Sequence, residues 1–244
     1  MGQALPTYRE GDIVRAVSRQ EKKFLCDLVA AKKLEVTLGQ IMKPDSHNGA
    51  DGYMIRSLYF DTLHDRDYVE KLFGVHLRRK VRVRIYDPTS DFALLEVKQK
   101  EGENQRKRSL PITRQEARRL SSGDYSFLLK RPEPFAQEVH GLLCINGYMP
   151  KAIVDYNRKA FVVQENKIRV TLDSNIRATE TNLDLFDANL CTYPVFDPFN
   201  VVLEVKFDGF LLSYVRDALN QVEKSELAVS KYCLSRASRL AFQF

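Results

Sequence analysis

Between Arg78 and Ile85, charged and apolar side chains take turns: Arg78, Lys80, Arg82 and Arg84 on one set of positions, Val81, Val83 and Ile85 on the other. Alternate residues of a β-strand point to opposite faces, so the pattern predicts a strand with one oily and one cationic side. The design recurs. In FALLEVKQK, Glu96, Lys98 and Lys100 oppose Leu95 and Val97, and in IRVTLD, Arg169, Thr171 and Asp173 oppose Ile168, Val170 and Leu172. VVLEVKF sets Glu204 and Lys206 against Leu203, Val205 and Phe207, while VSRQEKKF aligns Arg19, Glu21 and Lys23. Turned outward, such charged faces make an ordinary half-exposed sheet; made to converge, they line the interior of a barrel.

Other stretches predict covers for the oily faces. ITRQEARRLSSGD opens with Thr113 and Glu116 at capping-box spacing. PEPFAQEVHGLLCINGY carries a helical apolar period through Phe135, Val139 and Leu142, and VEKSELAVSKYCLSRASRL reads as helix to near the end. KPDSHNGADG, KQKEGENQRKRS and FDANLCTYPVFDPFN, rich in turn formers, are predicted loops. Nothing resembles a linker, a solenoid repeat or a low-complexity tract, so residues 1–244 are expected to form one domain. LLEVKQK and VLEVKFD echo each other, a short similarity between two parts of the sheet.

Composition narrows the partners without choosing among them. A net charge of +6 and a pI near 9.1 favour something anionic: nucleic acid, phosphate compounds or a membrane surface. The four cysteines are widely spaced with no CxxC pair, and neither a signal-peptide pattern nor a membrane-spanning apolar run is visible. A reduced, cytoplasmic protein is the expectation.

The chemistry of the charged strands is more specific. Arg offers a planar fork that grips phosphate oxygens two at a time, and Lys a movable point charge. Arg78, Lys80, Arg82, Arg84, Lys98 and Lys206 together exceed what a single phosphate needs and suit a polyanion. Glu21, Glu96, Asp173 and Glu204, lying among them, either pair with these cations or hold a hard divalent metal. His47, His64, His76 and His140 are scattered, which argues against a histidine metal site or nucleophilic triad, and no P-loop motif occurs. Tyr53, Tyr59 and Phe60, near Arg56, read as packing residues. An open RNA-binding face would set aromatic platforms beside the basic strip, whereas aliphatics alternate with it here, so nucleic acid is not the expected partner.

RQEKKF, YMIRSLYFDT, YVEKLFGVHLRRKVRVRIYD, LLEVKQK, YNRKAF, RVTLDSNIRAT, VLEVKFDG and VSKYC occur in that order over nearly the whole chain. This series resembles the polyphosphate polymerase (VTC) domain of the vacuolar transporter chaperone complex and its bacterial relatives, within the triphosphate tunnel metalloenzymes. The resemblance implies an α+β fold, an antiparallel β-barrel tunnel lined by charge with helices packed outside. Where the wider superfamily carries E-x-E-x-K, this chain has Arg19, Glu21 and Lys23, one acid replaced by a cation, which is closer to the polymerase branch. The eukaryotic complexes' sensing domain and transmembrane helices have no counterpart in the sequence, so a free-standing bacterial-type catalytic domain is expected.

What the resemblance implies is phosphoryl transfer from ATP to a growing inorganic polyphosphate chain, with Mn²⁺ or Mg²⁺ as cofactor. Arg82, Arg84, Lys98 and Lys206 are the implied catalytic cations, and Lys23, Arg78, Lys80, Lys100, Arg158, Arg169 and Lys231 the substrate-binding ones. Glu204, with Glu96, is the implied metal ligand. A tunnel triphosphatase or nucleotide phosphohydrolase and a non-catalytic polyanion- or RNA-binding module remain as alternatives. A membrane partner and the oligomeric state are left open.

Overall fold

The computed structural model describes residues 19–102, 104–227 and 230–240. Its strands are β1 (Arg19–Asp27), β2 (Lys43–Pro44), β3 (Tyr53–Thr62), β4 (Leu77–Ile85), β5 (Phe92–Glu101), β6 (Asn104–Thr113), β7 (Tyr148–Val163), β8 (Ile168–Thr179), β9 (Tyr193–Pro194), β10 (Asn200–Asp208) and β11 (Ser225–Glu226). Six α-helices lie between and after them: α1 (Leu28–Ile41), α2 (Arg66–Leu72), α3 (Arg114–Ser121), α4 (Pro134–Ile145), α5 (Ser213–Asn220) and α6 (Lys231–Leu240).

All the strands join one antiparallel sheet, whose order is β11-β1-β10-β8-β7-β3-β4-β5-β6, with β2 on β7 and β9 on β8. The sheet curls until its two ends approach: Lys98 Nζ on β5 lies 3.2 Å from Glu21 Oε2 on β1. No backbone ladder joins β6 to β1 or β11 among the described residues, so the sheet is a barrel-like tunnel left open along this seam, which the Lys98 and Glu21 side chains bridge. β6 suits an exposed edge, because its many charges and Pro111 discourage pairing with another strand.

Alternation explains the layers. The apolar positions of β4 and β5, Val81, Val83, Leu95 and Val97, are buried with Leu120 of α3 and Val139 and Leu143 of α4. On the other flank, Val170 of β8 and Leu203 and Val205 of β10 are buried with Leu34 and Leu38 of α1 and Val215 of α5. These two cores occupy the outer face, leaving the charged faces to the interior. α1 starts where Asp27 accepts a hydrogen bond from Ala30 N at 2.7 Å. α3 starts with the full Thr113 and Glu116 capping box.

α6 packs differently. Tyr232 and Cys233 join Ile55, Tyr59, Tyr156 and Val202 in a third core on the inner face, so this helix stops one end of the barrel. The Tyr232 hydroxyl donates to Asp61 Oδ2 at 2.8 Å, and the same buried carboxylate accepts from the N–H groups of Thr62, Asp67 and Tyr68. One acid thus ties the end of β3, the start of α2 and α6 together.

Two local expectations need correction. KQKEGENQRKRS is not a loop but most of a hairpin, with β5 and β6 in register out to Glu101 and Asn104. Gly102, at φ 57, supplies the left-handed turn residue, and the polar run belongs to an edge strand that needs little apolar patterning. The helix expected from Val222 begins only at Lys231, because Ser225 and Glu226 first pair with Leu25 and Phe24 of β1. Ala228 and Val229 of that stretch, Val17 and Ser18 of the first predicted strand, and the side chain of Arg19 lie outside the described residues.

Candidate active site: a cation-lined tunnel

The inner face surrounds a cavity of about 530 Å³. Ten cations line it, Lys23, Lys80, Arg82, Arg84, Lys98, Lys107, Arg158, Arg169, Lys206 and Lys231, against two carboxylates, Glu21 and Glu204. Register explains the convergence. Glu21 and Lys23 of β1 stand opposite Lys206 and Glu204 of β10, and Lys206 stands opposite Arg169 of β8. On the far wall, Lys80 pairs with Lys98 and Arg82 with Glu96. Like charges directly opposite each other destabilise a sheet, so counter-charges or an anionic ligand must compensate.

Three internal clusters do part of this. Glu96, 1 % exposed, accepts from Arg82 Nε at 2.6 Å, lies 3.8 Å from Arg84 Nε, and touches the Lys107 ammonium. Burial alone would raise its pKa, but these three charges hold the carboxyl at about 2. Asp173, fully buried, takes both arms of Arg158, at 2.6 and 2.7 Å, and the Lys231 ammonium at 2.5 Å, which fastens the first turn of α6 to β8.

The third cluster is the one open to chemistry. Lys23 bridges Glu21, at 2.6 Å, and Glu204, at 3.6 Å, while Lys206 lies 4.0 Å from Glu21 and against Glu204. Burial and Glu204 push the Glu21 pKa upward, yet Lys23, Lys98 and Lys206 bring it down to about 2. Burial disfavours the Lys23 ammonium, but Glu204 and Glu21 outweigh it and raise its pKa. Lys206 lies against Glu204 Oε1, yet among the described residues no group makes a hydrogen bond to that buried oxygen.

A divalent cation fits here in one particular way. No group of three or more His, Cys, Asp or Glu side chains among the described residues makes a self-sufficient metal cage. Mg²⁺-like ions, however, are commonly held by one or two carboxylates together with substrate phosphates. The Glu21 and Glu204 pair, which includes that oxygen, is a donor set of that kind.

Lys80 stands apart. It forms no ion pair with a described carboxylate, and burial lowers its pKa to about 8. Burial also lowers the pKa of Lys98 and of Lys107, despite Glu21 and Glu96 beside them. These ammonium groups are short of negative charge, which a phosphate chain would supply.

Residues 18–240 match the VTC domain family. The chain belongs to the VTC domain family. VTC domains are members of the triphosphate tunnel metalloenzyme superfamily, whose enzymes use divalent metals; membership points to a phosphotransferase or phosphohydrolase and to nucleoside triphosphate or polyphosphate as ligand. Among solved structures, this VTC domain is similar to a Bacillus halodurans protein described as a candidate adenylate cyclase, at 13 % identity and TM-score 0.45, over 84 % of this chain and 86 % of that one. It is also similar to the PH1819 protein of Pyrococcus horikoshii, at 11 % identity and TM-score 0.43, over 90 % and 100 %. The comparison with curated proteins gave no match. No helix among the described residues of the VTC domain is long and apolar enough to cross a membrane.

The tunnel of this VTC domain gathers most of the residues that sequence reasoning singled out. Lys23, Lys80, Arg82, Arg84, Lys98, Arg158, Arg169, Glu204, Lys206 and Lys231 line it. Arg78 and Lys100 share its face but lie beyond the lining, near Lys71 of α2. Glu96 sits beneath the surface among its three cations. Lys107 and Gln105 were missed because their strand read as a loop, and Tyr53 and Tyr59 because aromatics at strand spacing read as packing; Tyr86, just past the end of β4, and Tyr156 of β7 carried no sequence signal that singled them out. Tyr59 does both, lining the cavity and stacking on Tyr232 at 5.1 Å.

Proposed function

We propose that the protein is a metal-dependent polyphosphate polymerase that transfers the γ-phosphoryl group of ATP to the end of a growing polyphosphate chain. The observation that carries this reading is the excess of ten lining cations over two lining carboxylates. A site for one phosphate needs a few donors, whereas a long cationic channel suits a linear polyanion.

In the proposed reaction a terminal oxygen of the polyphosphate attacks the γ-phosphorus in line. A new P–O bond forms, the bond from the γ-phosphorus to the β,γ-bridging oxygen breaks, and ADP leaves with that oxygen and its electron pair. Phosphoryl transfer rests on positioning and on neutralising charge that spreads over the equatorial oxygens. Arg82, Arg84, Lys98 and Lys206 would carry that neutralisation, and Lys23, Lys80, Arg158, Arg169 and Lys231 would hold the phosphates in file. Arg78 and Lys100 would extend the path beyond the cavity. A bound Mn²⁺ or Mg²⁺ would add a hard positive charge on phosphate oxygens, with Glu204 and Glu21 as its protein ligands. Glu96 we assign a different part, as the counter-ion that lets Arg82, Arg84 and Lys107 stand close together.

Incubating the pure protein with ATP and Mn²⁺ and resolving the products on a gel tests this. Long phosphate chains with stoichiometric ADP are expected. Orthophosphate without chains would replace the polymerase by a tunnel phosphohydrolase, and unchanged ATP would leave a polyanion-binding protein.

A further inference from the structure

At the barrel end away from α6, the lining changes character. Arg169 there faces both the tunnel and an adjoining groove of about 670 Å³, whose walls include Ile41, Met42, Val162 and His47. Its guanidinium is fixed between Asp45, at 2.8 Å, and the Tyr53 hydroxyl, at 3.2 Å. Asp45 also fixes His47, accepting from its backbone N–H at 3.0 Å and lying 2.8 Å from its Nδ1. The rings of His47 and Tyr53 are 6.0 Å apart and those of Tyr53 and Tyr86 6.3 Å, tilted at 59° and 52°. Tyr86 is 43 % exposed and still lines the cavity, so its ring offers a free surface at the mouth.

A phosphate chain has no use for such a cluster, since the face of an aromatic ring is negative and repels anions. What suits it is a flat, uncharged π-system attached to phosphates. We propose that Tyr86 and Tyr53, with His47 at the groove side, form the nucleobase platform of the site. A nucleoside triphosphate would enter this mouth phosphates first, thread past Arg169 and Arg158, and leave its base stacked on Tyr86. The proposal rests on the reading of the tunnel as a phosphate channel and adds which end takes the nucleotide and which residues recognise its base. It gives the tunnel a polarity: nucleotide at the aromatic mouth, the γ-phosphoryl group deeper, toward Arg84 and Arg82.

The chain contains no tryptophan, so Tyr86→Trp places a single fluorophore at the mouth. Its emission should be quenched by ATP and left nearly unchanged by inorganic tripolyphosphate. In calorimetric titrations Tyr86→Ala should weaken ATP binding about tenfold, the scale of losing one base–aromatic stack. The same variant should bind tripolyphosphate as the wild type does, and Tyr86→Phe should retain wild-type ATP affinity. If Tyr86→Ala weakens both ligands equally, or neither, the base platform is refuted while the phosphate channel stands. If the wild-type protein binds neither ligand, the channel reading fails and the platform fails with it.

Discussion

Lys98 Nζ, on one side of the barrel seam, lies 3.2 Å from Glu21 Oε2 on the other, and their strands, β5 and β1, stand near opposite ends of the sheet order. The contact bridges two strands that no backbone ladder joins among the described residues. It also spends a tunnel cation on a tunnel carboxylate, so closing the wall and binding an anion draw on the same ammonium group. A phosphate chain entering the cavity would compete with Glu21 for Lys98.

The seam should therefore loosen when the acid is removed. In Glu21→Gln, measured without metal, amide hydrogen exchange in β6 should accelerate about fivefold. That corresponds to about 1 kcal/mol, the upper end for a partly exposed pair. Adding tripolyphosphate should reverse the effect by restoring negative charge beside Lys98. Unaltered exchange in β6 would show that the seam is held by something other than this pair.

The metal assignment predicts a separation between two ligands. Glu204→Gln removes a charge that a hard cation needs but frees Lys23 and Lys206 for phosphate. Tripolyphosphate should bind this variant at least as tightly as the wild type when metal is absent. Mn²⁺ binding to the tripolyphosphate complex, followed by electron paramagnetic resonance, should weaken tenfold or more. Unchanged Mn²⁺ affinity in a folded variant would remove Glu204 from the ligand set.

Much of this site was legible in the sequence because strand alternation is a rigid rule. Once Val81 and Val83 are inside a core, Lys80, Arg82 and Arg84 must face the other way. Alternation says nothing, however, about position along the barrel axis. That is why Arg78 and Lys100, on the right face, fall outside the cavity. Nor does it reveal which strands meet: Arg82 and Arg84 from β4 and Lys107 from β6 all reach Glu96 on β5, a convergence that alternation does not foretell. Edge strand β6 was hidden for a physical reason, since a strand with one free edge tolerates polar residues that elsewhere signal a loop. Helix α6 was legible as a helix, and the resemblance placed its Lys231 at the tunnel, whereas amphipathicity alone marks an apolar side without telling which core receives it.

Lys80 should make phosphate binding depend on pH in a direction fixed by its environment. Burial depresses its pKa to about 8 from the usual 10.5, so the free protein keeps it charged below pH 8 and neutral above. In the folded chain alone the ammonium is a burden at neutral pH that is relieved as pH rises from 8 toward 10.5. A bound polyanion favours the charged form, so binding above pH 8 takes up a proton. Tripolyphosphate affinity should be nearly flat below pH 8 and fall by up to about tenfold per pH unit above it. Lys98 and Lys107, whose pKa values are also lowered, contribute in the same direction. Calorimetry in two buffers of different ionisation enthalpy measures the uptake, and Lys80→Gln should reduce it by the share of one site. Equal proton uptake in wild type and variant would exclude Lys80 as the source.

The sharpest test asks whether the cationic strand acts on the transferred group or only attracts substrate. Arg82 is held on two sides, donating to Glu96 at 2.6 Å and to the Tyr59 hydroxyl at 3.2 Å. Arg84 is held loosely, its Nε 3.4 Å from Ser57 Oγ and 3.8 Å from Glu96, and its terminal nitrogens make no side-chain hydrogen bond or ion pair among the described residues. Replacing either by Lys keeps the charge and the long-range field but discards the planar fork. If the strip only steers polyanions, both Lys variants should show a near-normal kcat and a KM that rises with salt. If it neutralises charge in the transition state, at least one should lose kcat by about 10², the effect of removing a single preorganised donor. We expect Arg84→Lys to show the larger loss, because its donors are the less committed to protein partners. Arg82→Lys should also lower thermal stability, since one ammonium cannot span both Glu96 and Tyr59. Steady-state kinetics with ATP and Mn²⁺ at two salt concentrations, on variants confirmed to be folded, decide the matter, and a normal kcat in both would leave the strand a binding surface.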